Sequence, residues 1–332
     1  MKELNEDLLN GARKVMECGD VKQGERVVIV TDTCEPPEIG LAMIEAANEF
    51  GATPVLLTMN PVSPGGDLPF VIDEALKNAD YIITPTTTSI YHSHGMHVAH
   101  EEPYNARAVA LSECTMDMVM AGGITADFKK IRPVVHEIGE VFTKGKKIKF
   151  TTPAGTCLEA SIEGRDGYCN TGIADMPGML EGMPTIEVFI APVEESVNGV
   201  IVCDASCSGG IGVIKEPIIL TIENGIATKI EGGEQARKLS EIVEAVGMPN
   251  AYQIAEMAIG LNPKSRITGF INEDEGKYGT CHCAIGSNAG FGGLNDVPLH
   301  IDMVQYNPTV LIDDIVVEKD GELIIAELPD SI

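Results

Sequence analysis

The chain reads as an α/β protein. A Rossmann-like domain with a parallel sheet is expected over residues 1–145, and a mostly β (α+β) metal-binding domain over residues 146–332. Three observations predict this. Apolar strand-like runs alternate with helical periodicity through the first half. Short strands broken by glycine and proline dominate the second. The potential metal ligands Glu256, His282, His300 and Asp302 crowd into the last quarter.

The opening MKELNEDLLNGARKVMECGD has Leu4, Leu8, Leu9, Ala12 and Val15 at helical spacing, so it is an amphipathic helix. RVVIVTD (26–32) is a buried strand, GLAMIEAANEFG (40–51) a helix stopped by glycine, and TPVLLTM (53–59) the next strand. FVIDEALKNA (70–79) is helical, DYIITPT (80–86) extended, and a helix lies within 92–101. RAVAL (107–111) is a strand, followed by helices in 114–121 and 125–143. Strand-helix alternation of this kind builds a parallel sheet covered by helices. The turn after the first strand is DTCEPPEIG and not GxGxxG, so no dinucleotide cofactor is expected.

From residue 146 the segments KIKFTTP, LEASIEG, IEVFIAP, GVIVCDAS, IILTIENG and KIEGG are strands. One helix, EQARKLSEIVEA (234–245), interrupts them, and a second is expected from near Ala251, carrying Glu256. TVLIDDIVVEKDGELII reads as a hairpin closed by Asp320-Gly321.

Composition excludes several classes of function. A formal charge of −27 opposes nucleic acid and anionic membranes, which need a basic surface. No run is long and apolar enough to cross a bilayer, and the charged N-terminus lacks a signal-peptide pattern, so a cytoplasmic protein is expected. The nine cysteines form no CxxC pair. Cys281 and Cys283 flank His282, but strand alternation would turn both thiols away from the imidazole.

Imidazole and carboxylate suit a divalent transition metal. In His300-x-Asp302, a spacing of two puts both side chains on one face of a strand. Each residue also has a blander reading: Glu256 as a surface glutamate, His282 as a core histidine, His300 and Asp302 as an internal pair. Their crowding in a chain of only seven histidines favours the metal, and Glu187, opening the strand IEVF, is a further carboxylate candidate. In HSHGMHVAH, His92, His97 and His100 cannot share one helical face with His94, so substrate contacts or a solvated face are expected there. His92 remains an active-site candidate because it follows the carboxyl end of a strand, where α/β sheets collect ligands. SNAGFGG (287–293) is a loop whose small residues leave room for substrate.

IAEMAIGLNP, DEGKYGTCHCAIG and LHIDM, together with KQGERVVIVTD, SIYHSH and PTIEVF, resemble the aminopeptidase T family of metallopeptidases. The resemblance covers most of the chain. It implies Glu187, Glu256, His282, His300 and Asp302 as ligands of one or two divalent metals, Mn²⁺ or Zn²⁺, with Fe²⁺ as the other candidate. It also implies a metal-activated water, Glu187 or Glu256 as general base, and a homodimer. Two departures stand out: Ala289 occupies the place of the family's catalytic tyrosine, and the chain is shorter than the peptidases. In size it is similar to the iron-dependent 2,5-dihydroxypyridine 5,6-dioxygenase, which keeps the H-x-D pair.

The expectation is therefore a metal-dependent hydrolase acting on a small cyclic or carbonyl substrate, such as a cyclic amide or dione opened by metal-activated water. The alternatives are an aminopeptidase in which Tyr278 or Tyr306 replaces the missing phenol, and an Fe(II) ring-cleaving dioxygenase.

Overall fold

The computed structural model describes residues 4–63 and 65–329, and these divide into two compact units. The first runs to Lys129 and includes Asn170–Thr185; the second comprises Lys130–Cys169 and the chain from Ile186 onward. The change of character in the sequence predicts a single boundary at 145/146 instead. The returning segment joins the first unit because its strand Leu180–Gly182 extends the parallel sheet, pairing with Ala108–Ala110.

That sheet has the order Thr53–Met59, Arg26–Asp32, Tyr81–Thr86, Arg107–Ser112, Leu180–Gly182, with every pairing parallel. The central strands are buried nearly throughout, as expected of a sheet covered on both faces. The first helix, Glu6–Cys18, starts at Asn5, whose side chain accepts from the N–H groups of Asp7 and Leu8. It buries Leu8, Ala12 and Val15, and the buried Tyr81 hydroxyl donates to the Val15 carbonyl at 2.9 Å.

Chain order reverses direction between the strands Arg26–Asp32 and Tyr81–Thr86, which makes their carboxyl ends a switch point. Asp32 closes it by accepting from Thr87 N–H at 2.6 Å, the Thr87 hydroxyl at 2.8 Å and Cys34 N–H at 2.9 Å. Glu35 is buried beside it, against Cys114. Where a dinucleotide phosphate would need N–H donors, this turn carries two carboxylates.

The second unit contains two sheets. One is an eight-stranded antiparallel sheet running Ile226–Glu231, Ile218–Glu223, Asn198–Cys203, Cys157–Ser161, Lys147–Thr151, Thr309–Ile312, Ile315–Lys319, Glu322–Leu323. The expected C-terminal hairpin closes at Asp313-Asp314, and Asp320-Gly321, both at positive φ, turns the chain into the short last strand. The other sheet runs Gly212–Val213, Ser206–Cys207, His300–Tyr306, Thr280–Gly286, Ile254–Gly260, Glu187–Ile190, Tyr168–Asn170.

The helix expected from Ala251 is not formed. A single 3-10 turn, Pro249–Tyr252, leads into the strand Ile254–Gly260, every residue of which is buried. Apart from Glu256 the strand's residues are apolar or glycine on both faces, so periodicity cannot separate it from a buried helix. The helix Glu234–Val246 forms as expected and ends at Gly247 in the left-handed conformation.

Burial, reinforced by the charge of Asp32, pushes the Glu35 carboxyl up to about 7. The folded state then binds this proton more tightly than the unfolded chain, so the residue's contribution to stability is fully present below pH 4.5 and is lost as pH rises to about 7. Glu35→Gln is expected to remove this loss. Its stability relative to wild type, from urea melts at pH 5 and pH 8, should improve at the higher pH by at most about 1.4 kcal/mol per pH unit crossed.

Candidate functional site

Cross-strand pairing explains why distant residues meet. Residues opposite each other in an antiparallel ladder point to the same face, and alternate residues along a strand share it. Glu256 pairs with Ala284, and Ala284 with Asp302. One row away, Phe189 pairs with Ala258, Ala258 with His282, and His282 with Val304. Gly286 pairs with His300, and Gly260 with Glu187. One face of this sheet therefore carries Glu187, Glu256, His282, His300 and Asp302, with Ala258, Gly260, Ala284 and Gly286 as a low floor between them. A register shift lies just before Glu256, the kind of irregularity that re-aims a side chain.

The five side chains converge. Glu256 spans the two imidazoles, with Oε1 at 3.3 Å from His282 Nε2 and Oε2 at 3.3 Å from His300 Nε2. Glu187 Oε2 is 3.2 Å from His282 Nε2, and Asp302 Oδ1 is 3.1 Å from His300 Nε2. Two sets of three potential ligand atoms fall within 4.8 Å of one another and share Glu256: Glu187 with Glu256 and His282, and Glu256 with His300 and Asp302. The side chains of Glu187, Glu256, His282 and Asp302 are 1–10% exposed, whereas His300 keeps 31%, so the cluster is open on the His300 side.

The electrostatics are those of buried negative charge in need of a cation. Burial pushes the Glu187 carboxyl up to about 8; the His282 imidazole opposes this, while the charges of Glu256 and Asp302 add to it. For Glu256 burial acts in the same upward sense, but hydrogen bonds from His282 and His300 overcome it and bring the carboxyl down to about 2. Desolvation pulls both imidazoles down, and the carboxylates more than reverse that: His282 is raised to about 9 and His300 well above its ordinary value. A divalent cation among these oxygens and Nε2 atoms would do the neutralising that proton-bearing imidazoles do otherwise.

The donor set fits such an ion. His300 Nδ1 donates to the Ser287 carbonyl at 2.8 Å, which leaves its Nε2 lone pair facing the cluster. Glu187 Oε2 is buried with no hydrogen bond. Ser208 fixes Asp302 from behind: Asp302 N–H donates to its hydroxyl at 2.9 Å, and Ser208 N–H to the Asp302 carbonyl at 3.0 Å.

The thiols of Cys281 and Cys283 lie on the opposite face of their strand, where both bond to Gln305 Oε1. Tyr278 bonds to Glu322 at 3.1 Å and to Leu323 N–H, and Ala289 is exposed in a 3-10 turn. His92 belongs to the first unit, just before the helix His94–His100, with its ring 6.2 Å from that of His97. Glu275 was missed as a candidate. One of its oxygens lies within 4.8 Å of ligand atoms of His282 and Asp302. The signal was the acidic pair of DEGKYGT. Asp274 spends its carboxylate on the N–H groups of Thr268 and Gly269 and on the Thr268 hydroxyl, and its neighbour Glu275 lies beside the cluster.

Comparison with known proteins gives this geometry a context. The solved structure of the 2,5-dihydroxypyridine dioxygenase from Pseudomonas putida KT2440 superposes with a TM-score of 0.82, covering 96% of this chain and 97% of that one at 21% identity. AmpT from Thermus thermophilus superposes with a TM-score of 0.68, covering 96% and 99% at 16% identity. By sequence, the chain is 23% identical to the 2,5-dihydroxypyridine 5,6-dioxygenase of Pseudomonas putida over 97% of both proteins. The aminopeptidase T resemblance is thus one of fold. The expectations of a hydrolase and of an aminopeptidase are overturned, because the activity named along the whole chain is a dioxygenase. With the family model for NicX, 2,5-dihydroxypyridine 5,6-dioxygenase, matching residues 7–325, the chain belongs to that family.

Proposed function

We propose that this protein is a ring-cleaving dioxygenase that uses a divalent metal, Fe²⁺, to open a small hydroxylated ring. The observation that carries the reading is the set His282, His300 and Asp302 around the Glu256 carboxylate, in a chain of the dioxygenase family. Two imidazoles and a carboxylate are the ligands of non-haem iron oxygenases, which leave positions free for substrate and oxygen. His282, His300 and Asp302 would hold the ion, with Glu256, between the two imidazoles, as a further ligand. Bound iron would supply the electron-transfer chemistry with dioxygen that ring cleavage requires.

The protein's own groups have definite tasks in this scheme. The Ser287 carbonyl holds His300 in the tautomer whose Nε2 is free. Glu187, whose Oε2 is buried without a hydrogen bond, is the carboxylate suited to exchange a proton with a ring hydroxyl. Four buried side chains keep bulk water to the His300 side. Overall, one carbon–carbon bond of the ring breaks and both atoms of one O₂ enter the product. The substrate itself provides the electrons, so no nicotinamide is consumed.

Iron-loaded protein supplied with 2,5-dihydroxypyridine, or with related dihydroxylated rings, should consume one O₂ per ring opened, measured with an oxygen electrode beside product mass. Ring opening that continues without oxygen would overturn the reading. His300→Ala and Asp302→Ala should each retain less than about a tenth of the wild-type metal, by plasma mass spectrometry of the purified protein. Gly286 has φ +114°, and a Cβ there would lie 2.1 Å from the Leu299 carbonyl, immediately before His300. Gly286→Ala should therefore weaken metal binding about tenfold by displacing that strand.

A further inference from the structure

The open side of the cluster is aromatic. Phe291 stands edge-on to His300, with ring centroids 5.9 Å apart and planes at 83°. It also meets Phe189 edge-on at 5.4 Å, and Phe189 stacks on Tyr168 at 5.5 Å with an interplanar angle of 19°. Phe189 is two residues beyond Glu187 on the same strand, so it rises from the ligand-bearing face. Through Ala258 it lies in the same cross-strand row as His282. The floor between is a methyl group.

A sealed aromatic core would read differently. Phe189 and Phe291 are only half-buried, and Tyr168 is 37% exposed. Phe291 is nonetheless held firmly. Asn288 and Asn295 tie the ends of its loop together, with Asn288 N–H to the Asn295 carbonyl at 2.9 Å and Asn295 N–H to Asn288 Oδ1 at 2.9 Å. Gly293 packs so closely that a Cβ would lie 1.9 Å from Asn288 Cγ. Leu294 N–H donates to Glu194 Oε1 at 2.7 Å, and Arg165 holds both Glu194, at 2.6 Å, and the Gly292 carbonyl. This loop is fixed by polar contacts, while Leu294 at its tip stays 83% exposed.

We propose that Phe291 and Phe189 form a ring-binding wall at the mouth of the metal cluster, and that the site thereby selects flat, conjugated rings over saturated or open-chain ligands with the same chelating groups. Aromatic faces and edges give a planar ring offset-stacked or edge-to-face contacts that a puckered or linear molecule cannot match. The proposal deepens the ring-cleaving reading and rests on it for the nature of the substrate. Its test reads binding and not turnover, so the two can fail separately.

The experiment uses the full chain loaded with Mn²⁺, without oxygen. Two probes are titrated: 4-nitrocatechol, a flat chelator followed by its visible absorbance, and acetohydroxamate, a non-aromatic chelator followed by competition. Phe291→Leu and Phe189→Leu should each weaken 4-nitrocatechol binding about tenfold, leaving acetohydroxamate binding and metal content unchanged. Phe291→Trp should preserve the preference for the flat probe, and covers the case in which a leucine variant folds poorly. Equal weakening of both probes, no weakening of either, or a wild-type protein that does not bind 4-nitrocatechol would each overturn the wall. If the preference holds but no O₂ is consumed with any ring, the wall stands and the dioxygenase reading fails.

Discussion

Three carboxylates and two imidazoles packed within hydrogen-bonding distance in a dry environment are unstable by themselves, and the surrounding structure is arranged around that fact. Isolated carboxylates in an apolar interior would take up protons. Here Glu256 remains ionised because two histidines donate to it, while Glu187, with less support, is pushed up to about 8. The crowding that makes the cluster costly without an ion is what a divalent cation would relieve, by satisfying several oxygens and two Nε2 atoms together.

The sheet makes this crowding possible. Four antiparallel strands, Glu187–Ile190, Ile254–Gly260, Thr280–Gly286 and His300–Tyr306, bring five side chains to one face with rigid spacing, and alanine and glycine at the intervening positions leave the space above them clear. The opposite face carries apolar residues and thiols that pack into the core. A one-residue slip of any of these strands would exchange the two sets, so core packing and site assembly enforce the same register. Function thus borrows its precision from the hydrophobic core.

The solved structures also separate fold from chemistry. One scaffold matches both a dioxygenase and a protein of the aminopeptidase T group, at 21% and 16% identity respectively. Carboxylates and imidazoles on a shared sheet face suit either kind of metal chemistry, so the ligand list alone could not choose between them. The hydrolase expectation gave the additional carboxylates a meaning that the family match does not support.

What the sequence determined by itself was the parallel-sheet half, through its strand-helix alternation, and the identity of the clustered residues, through their density and the two-residue spacing of His300 and Asp302. Both are local signals. The tertiary structure decided the rest. Glu256 lies on a central strand and not on a helix, because a segment buried on both faces has no polar stripe to reveal its period. Leu180–Gly182 returns to the first sheet, a long-range pairing that no local pattern announces. Glu275 comes near His282 and Asp302, and Phe291 near His300, only through loops whose course is set by contacts with distant residues such as Glu194 and Arg165. Residue types and short spacings state which groups are available; which of them meet depends on strand register and loop closure, and these are settled only when the whole chain packs.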